Sequence, residues 1–129
     1  MEFLICYDNT PQSQKALELA KQHAKVWNAE LRVVQAIRRK EQLPHKRISE
    51  IETQLSEQIS KMLKGTTHKT ILLVDDVEPG QQIVDFASRI KPDHIFIGIE
   101  RKSKVGKLLF GSTAQIVILN SPCPVVSVS

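Results

Sequence analysis

The chain predicts an α/β fold: a single doubly wound domain with a five-stranded parallel sheet, order 3-2-1-4-5, and helices on both faces. Three observations predict it. Short apolar runs alternate with segments of helical periodicity from one end of the chain to the other. The first run, Glu2 to Tyr7, has the character of a strand buried on both faces. The connections are short, and right-handed crossovers then leave few topologies. A chain that starts near the sheet centre and grows outward in both directions has its strand order reversed between strands one and four.

The elements follow in order. Glu2 to Tyr7 is bounded by Asp8-Asn9-Thr10-Pro11. Thr10 offers a capping hydroxyl, and Pro11 suits a first helical turn. Ala16, Leu17, Leu19, Ala20, Ala24 and Trp27 recur at helical spacing, which predicts a helix from Pro11 to about Asn28 with Trp27 as a packing residue. Glu30 to Ile37 is a second strand, and Arg38 to Arg47 a charged loop. Ile48, Ile51, Leu55, Ile59, Met62 and Leu63 predict a second helix ending near Lys64-Gly65. Thr70 to Asp75 is a third strand. Gln81 to Ile90 is a third helix, stopped by Lys91-Pro92. Asp93 to Gly98 is a fourth strand. After a basic loop, Ser112 to about Leu119 is a last helix and Val125 to Val128 a fifth strand.

Composition bounds the function classes. With 129 residues, 41% hydrophobic and 25% charged, the chain reads as one globular domain over residues 1–129. An aromatic share of 5% argues against a stacking surface for single-stranded nucleic acid. The net charge of +4 permits anionic partners, and the positive charge is clustered at Arg38–Arg47 and Arg101–Lys107. The first cluster reads as a solvated loop. Cys6 and Cys123 make no disulfide framework and read as buried free thiols. The histidines at 23, 45, 68 and 94 are scattered and make no close metal-ligand pair. No signal peptide opens the chain, and no apolar stretch approaches about 18 residues, so the expected setting is cytoplasmic, with no membrane partner.

Two strand ends carry unusual chemistry. Strand one ends in Tyr7-Asp8-Asn9-Thr10. Strand four ends in Gly98 and a loop bearing Arg101, Lys102, Lys104 and Lys107, which closes in Gly111-Ser112-Thr113. In open doubly wound sheets, ligands bind beyond the strands' carboxyl ends where strand order reverses. These two ends flank that crevice. Gly98 allows close backbone approach to a ligand. Gly111, Ser112 and Thr113 open a helix whose N–H groups and dipole suit a phosphate. Asp8 can accept hydrogen bonds from an adenine amino group or from ribose hydroxyls. The structural alternatives are a turn role for Asp8, a helix cap for Ser112 and a solvated surface for the lysines.

These residues resemble the universal stress protein family, over the whole chain from Phe3-Leu4-Ile5-Cys6-Tyr7-Asp8 to Pro122-Cys123-Pro124-Val125-Val126-Ser127-Val128. The stretch from Leu108-Leu109-Phe110-Gly111-Ser112 to Ser121-Pro122-Cys123-Pro124-Val125 is similar to that family's closing signature. The resemblance implies ATP binding, with magnesium as a possible companion, through a pattern of Gly, two residues, Gly, nine residues, Gly and Ser or Thr. Gly98 and Gly111-Ser112 fill its ends, and Arg101 stands where the middle glycine is expected. The resemblance further implies that Asp8 faces adenine or ribose, that Ala36 lines the base pocket and that Ile97 packs on the base. Gly98 would touch ribose or phosphate, and Gly111, Ser112 and Thr113 would hold phosphates. Thr10 and Lys104 complete the expected site. Tyr7 is bulkier than the residue usual at its place and is expected to narrow the pocket. Arg101 either hinders the usual ATP pose or clamps a phosphate bidentately. A homodimer through Val125–Val128 is also implied, and an uncovered edge of that kind invites pairing.

Rival motifs fail on spacing. Ile71-Leu72-Leu73-Val74-Asp75-Asp76 imitates the start of a response-regulator receiver but comes too late in the chain. The Arg101–Leu108 segment imitates a P-loop, but Leu108 stands where a magnesium-binding hydroxyl belongs. Three function classes follow: a nucleotide-binding stress-response or regulatory protein without efficient turnover, a slow ATP hydrolase or phosphoryl-transfer protein, and a dimeric interaction module without nucleotide. The first leads, because a phosphate cradle is present and no general base is assigned.

Overall fold

The computed structural model describes residues 1–39, 43–100, 102–104 and 107–129. The order is β1 (Glu2–Cys6), α1 (Pro11–Trp27), β2 (Glu30–Arg38), α2 (His45–Met62), β3 (His68–Asp75), α3 (Pro79–Ile90), β4 (His94–Gly98), β5 (Lys102–Lys104), β6 (Lys107–Leu109), α4 (Ser112–Asn120) and β7 (Val125–Val128). Five strands form one parallel sheet in the order β3-β2-β1-β4-β7. This is the expected 3-2-1-4-5 arrangement, and the order reverses between β1 and β4.

Handedness divides the helices between the faces. The chain steps one way from β1 to β3 and the other way from β4 to β7, and right-handed crossovers send the connecting helices to opposite sides. Phe3, Ile5 and Tyr7 alternate into a core shared with α1 and α2. Leu4 and Cys6 alternate into a second core shared with α3 and α4. Phe3, Leu4 and Ile5 are wholly buried, as a central strand covered on both faces must be.

Four local expectations need correction. Trp27 is 60% exposed rather than packed. It is the last residue of α1, where the left-handed Asn28 turns the chain out of the helix. The charged segment at 38–47 is not wholly loop: Arg38 ends β2, and His45, Lys46 and Arg47 begin α2. Arg38 pairs with Glu78 and lies 3.7 Å from Asp76, which ties the end of β2 to the turn after β3. The loop after β4 contains an antiparallel hairpin, β5 with β6. Three-residue strands are too short for a periodicity signal. Cys6 is buried as expected, but Cys123 is only partly so. Its N–H donates to the Ser121 hydroxyl at 3.2 Å inside the turn before β7.

Candidate functional site

The β1–α1 connection is built by short-range hydrogen bonds. Asn9 takes a left-handed φ of 66°, which asparagine tolerates. The turn brings the Thr10 N–H 3.2 Å and its hydroxyl 2.5 Å from Asp8 Oδ1, and both donate to it. Thr10 then caps α1: its Oγ1 accepts from the Ser13 N–H at 3.2 Å, and the Ser13 hydroxyl donates back to the Thr10 carbonyl at 2.9 Å. The turn role for Asp8 is therefore realised. Its carboxylate remains exposed at the end of β1.

Tyr7 borders the crevice and also packs into the core. The ring belongs to the core under α1 and α2. Gln58 on α2 donates to the Tyr7 hydroxyl at 3.0 Å and to Asn9 Oδ1 at 2.8 Å, so α2 holds the back of the turn. Burial is the first cause raising the Tyr7 pKa above its ordinary value.

Across the crevice, β4 ends in Gly98. A Cβ added there would stand 2.4 Å from the Gln12 carbonyl carbon and 2.6 Å from the Ser13 nitrogen. The expectation that Gly98 admits a ligand is thus incomplete. What already occupies the space is the first turn of α1, drawn hard against the sheet. Gly111 is the reverse case. None of the described residues lies within 4 Å of a Cβ built on it, and its φ of −61° is open to any residue. No contact inside the described chain requires glycine at 111. Gly111 is also the N-cap of α4 and supplies no side-chain cap, so Ser112 is not the cap that the structural alternative assigned to it. The first turn of α4 lines the crevice through Ser112, Thr113 and Ala114, and among the described residues no side chain caps it.

These ends enclose a cleft of about 350 Å³ at the carboxyl side of β1, β2 and β4. Asp8, Thr10, Ala36, Ile97, Gly98, Gly111, Ser112 and Thr113 all line it. The register explains the gathering: Cys6 pairs with Val34 and Ile97, so the residues following them converge at one level. Lys104 lies on β5, away from these strand ends in sequence, and Arg101 lies outside the described residues.

Several lining residues escaped sequence reasoning. Pro79 and Ile83 come from the start of α3, Gln12 and Ser13 from α1, and Ile99 and Glu100 follow Gly98. The topology would have placed α3 beside α4, but no local motif marks these positions. Cys6 also borders the cleft. Its thiol is pushed up to about 12, first by burial and then by the Asp8 carboxylate, so it stays neutral at physiological pH. The sequence marks Gln82 only as a helix residue. It is buried, and its Nε2 donates to the carbonyls of Ile37, Asp75 and Val77, at 3.0, 3.3 and 3.0 Å. That clamp holds the ends of β2 and β3 beside Ala36. Among the described residues, no group of three His, Cys, Asp or Glu side chains is placed to hold a metal ion.

A doubly wound α/β sheet with a cleft at its switch point, lined by the start of a helix without a side-chain cap, defines the class: a small α/β protein with a crevice beyond its strands' carboxyl ends. The universal stress protein family model matches residues 1–129, and the chain belongs to that family. A universal stress protein of Thermus aquaticus, from the QAH/OAS sulfhydrylase 3′ region, is 29% identical over 97% of this chain and 96% of its own length. The structure of a universal stress protein from Archaeoglobus fulgidus superposes with a TM-score of 0.84 at 31% identity, covering 100% of this chain and 98% of that one. A universal stress protein from the same organism, solved in complex with dAMP, has a TM-score of 0.80 at 28% identity, again over 100% and 98%.

Proposed function

We propose that this protein binds an adenine nucleotide, ATP first among them, in the cleft between β1 and β4, and acts as a stress-response or regulatory protein without efficient turnover. The observation that carries this reading is Gly111. It caps α4 with no side chain, leaves open space where a Cβ would stand and so exposes a helix start to the cleft. A phosphate fits that vacancy by charge and by hydrogen bonding. The complex of the Archaeoglobus fulgidus relative with dAMP supports the same class of ligand.

The assigned roles follow from position. Ser112 and Thr113 add hydroxyl donors beside the first N–H groups of α4. Ile97 and Ala36 offer apolar surface to the base. Asp8, fixed by the Thr10 turn, accepts from ribose or from the adenine amino group. Arg101 and Lys104 contribute positive charge from the following loop. A cleft of about 350 Å³ is within the usual range for a small-molecule site. Magnesium would arrive with the phosphates, which supply oxygen ligands, and Asp8 and Glu100 are carboxylates lining the same cleft. Nucleotide affinity would make the chain a cytoplasmic sensor of adenylate level working as one domain, and a homodimer through β7 would present two clefts.

Thermal unfolding with and without ATP and magnesium tests the reading. ATP at about 100 times its Kd should stabilise the native state by about 2.7 kcal/mol, seen as a raised Tm. No shift at millimolar ATP, ADP or AMP would favour an interaction module without nucleotide. Steady phosphate release that Ser112→Ala abolishes would favour the hydrolase. Arg101→Gly decides between obstruction, in which binding tightens, and a phosphate clamp, in which it weakens.

A further inference from the structure

We propose that the free edge of β3 pairs with the β3 edge of a second copy of this chain, antiparallel, about a two-fold axis at Leu72. Among the described strands, β3 bonds only to β2 and lies outermost in the sheet. It is eight residues long, contains no proline and is only half-buried from Ile71 to Val74. A long apolar edge of this kind is a template for another strand.

The backbone fixes which groups are on offer. The Thr67 carbonyl accepts from Leu31 N at 3.1 Å and the Asp75 carbonyl from Arg39 N at 2.7 Å, so odd-numbered residues turn toward β2. His68, Thr70, Leu72 and Val74 therefore present N–H and C=O outward. An axis at Leu72 sets Leu72 against its own copy and Thr70 against Val74, so only outward-facing groups meet. Between them, Lys69 falls opposite Asp75 of the second copy, and the symmetry repeats the pair. These are non-hydrogen-bonded positions, where opposed side chains approach most closely.

Charge selects this register and this partner. Both Lys69 and Asp75 are exposed. A slip of the axis by one residue puts Lys69 against Leu73 or Val77 and leaves the charges unmatched. A strand basic at its start and acidic at its end is complementary to itself when reversed, which is why a second copy fits better than an unrelated strand. Beside the edge, on the α3 face, a groove of about 430 Å³ is lined by Leu73, Asp75, Asp85 and Arg89. Lys69 of the second copy falls on that face opposite Asp75. The other edge, β7, is four residues long and carries no charge to set a register. This pairing is independent of the nucleotide reading.

The test uses the full chain with Ser127→Pro. Pro124 and Val128 turn their carbonyls to β4, so Ser127 points its N–H outward, and proline there silences the β7 edge alone. That variant should still self-associate in sedimentation equilibrium. In wild-type protein, a zero-length carbodiimide should link Lys69 to Asp75. Within one chain these residues stand about 20 Å apart along the strand, so the link forms only between copies. Adding Lys69→Glu should weaken association about tenfold or more, and Lys69→Asp with Asp75→Lys should restore it. A monomeric Ser127→Pro chain, crosslinks that omit Lys69–Asp75, indifference to Lys69→Glu or a charge swap that fails to restore association would each overturn the proposal.

Discussion

Two helices begin at the cleft, and they begin differently. The start of α1 is closed: Thr10 caps it, Ser13 bonds back to Thr10, and the turn presses against Gly98, where a Cβ would stand 2.4 Å from the Gln12 carbonyl carbon. The start of α4 is open: Gly111 gives it no side-chain cap, and no described residue stands within 4 Å of a Cβ built there. Both involve a glycine that the family pattern treats alike. One glycine is required by packing inside the chain. The other is not: among the described residues none approaches it, and the proposed phosphate would occupy that space. A shared motif can thus combine a glycine that packing requires with one that packing leaves free for the proposed ligand.

Substitution can break that contrast, and the largest expected effect is at Gly98. Gly98→Ala should destabilise the fold by about 3 kcal/mol, because the obstacle is helix backbone rather than a flexible side chain. Urea unfolding measures it, and a wild-type midpoint would remove the distinction. Gly111→Asn is the counterpart. Asparagine is a good N-cap, so stability should hold or rise slightly, while a side chain that occupies the open N–H groups should weaken ATP binding about tenfold or more, read by calorimetry.

A smaller pair sharpens the same point. Thr10→Ala should cost about 1 kcal/mol of stability through the lost cap. Ser112→Ala, at a helix start that makes no use of it as a cap, should leave the unfolding midpoint near wild type. Its effect should appear as a severalfold loss of nucleotide affinity, the worth of about one hydrogen bond.

The smallest effect is at Cys6, between the two helix starts. Its thiol titrates at about 12 instead of 9.0, so it should alkylate slowly at neutral pH. Because the folded value is raised, the associated stability is complete below pH 9.0 and is lost as pH climbs toward about 12. Gly98→Ala, by lifting α1, should speed Cys6 labelling, whereas Gly111→Asn should not.

Most of the fold was legible in the chain. Continuous apolar runs and helical spacings are local signals, and strand order followed from them with handedness. Asp8, Gly98 and Gly111–Thr113 were legible as cleft-lining residues because they follow or end strands or begin a helix, whereas Ala36 and Ile97 came from the family resemblance. Pro79, Ile83 and Gln82 were not, because they act on strands distant in sequence and carry no local pattern. Trp27 misled for a related reason: helical periodicity reports the face of a helix, not how far its last residue is covered.

By itself, then, the sequence determined the alternation of elements, the two strand ends that bear the chemistry and the family. Those depend on residue type and spacing, which are properties of the chain. Tertiary structure alone decided that Gly98 is filled by α1 while Gly111 stands open, and that Asp8 Oδ1 is held by Thr10. Those depend on which atoms occupy the neighbouring space, and space is shared only after the chain has folded.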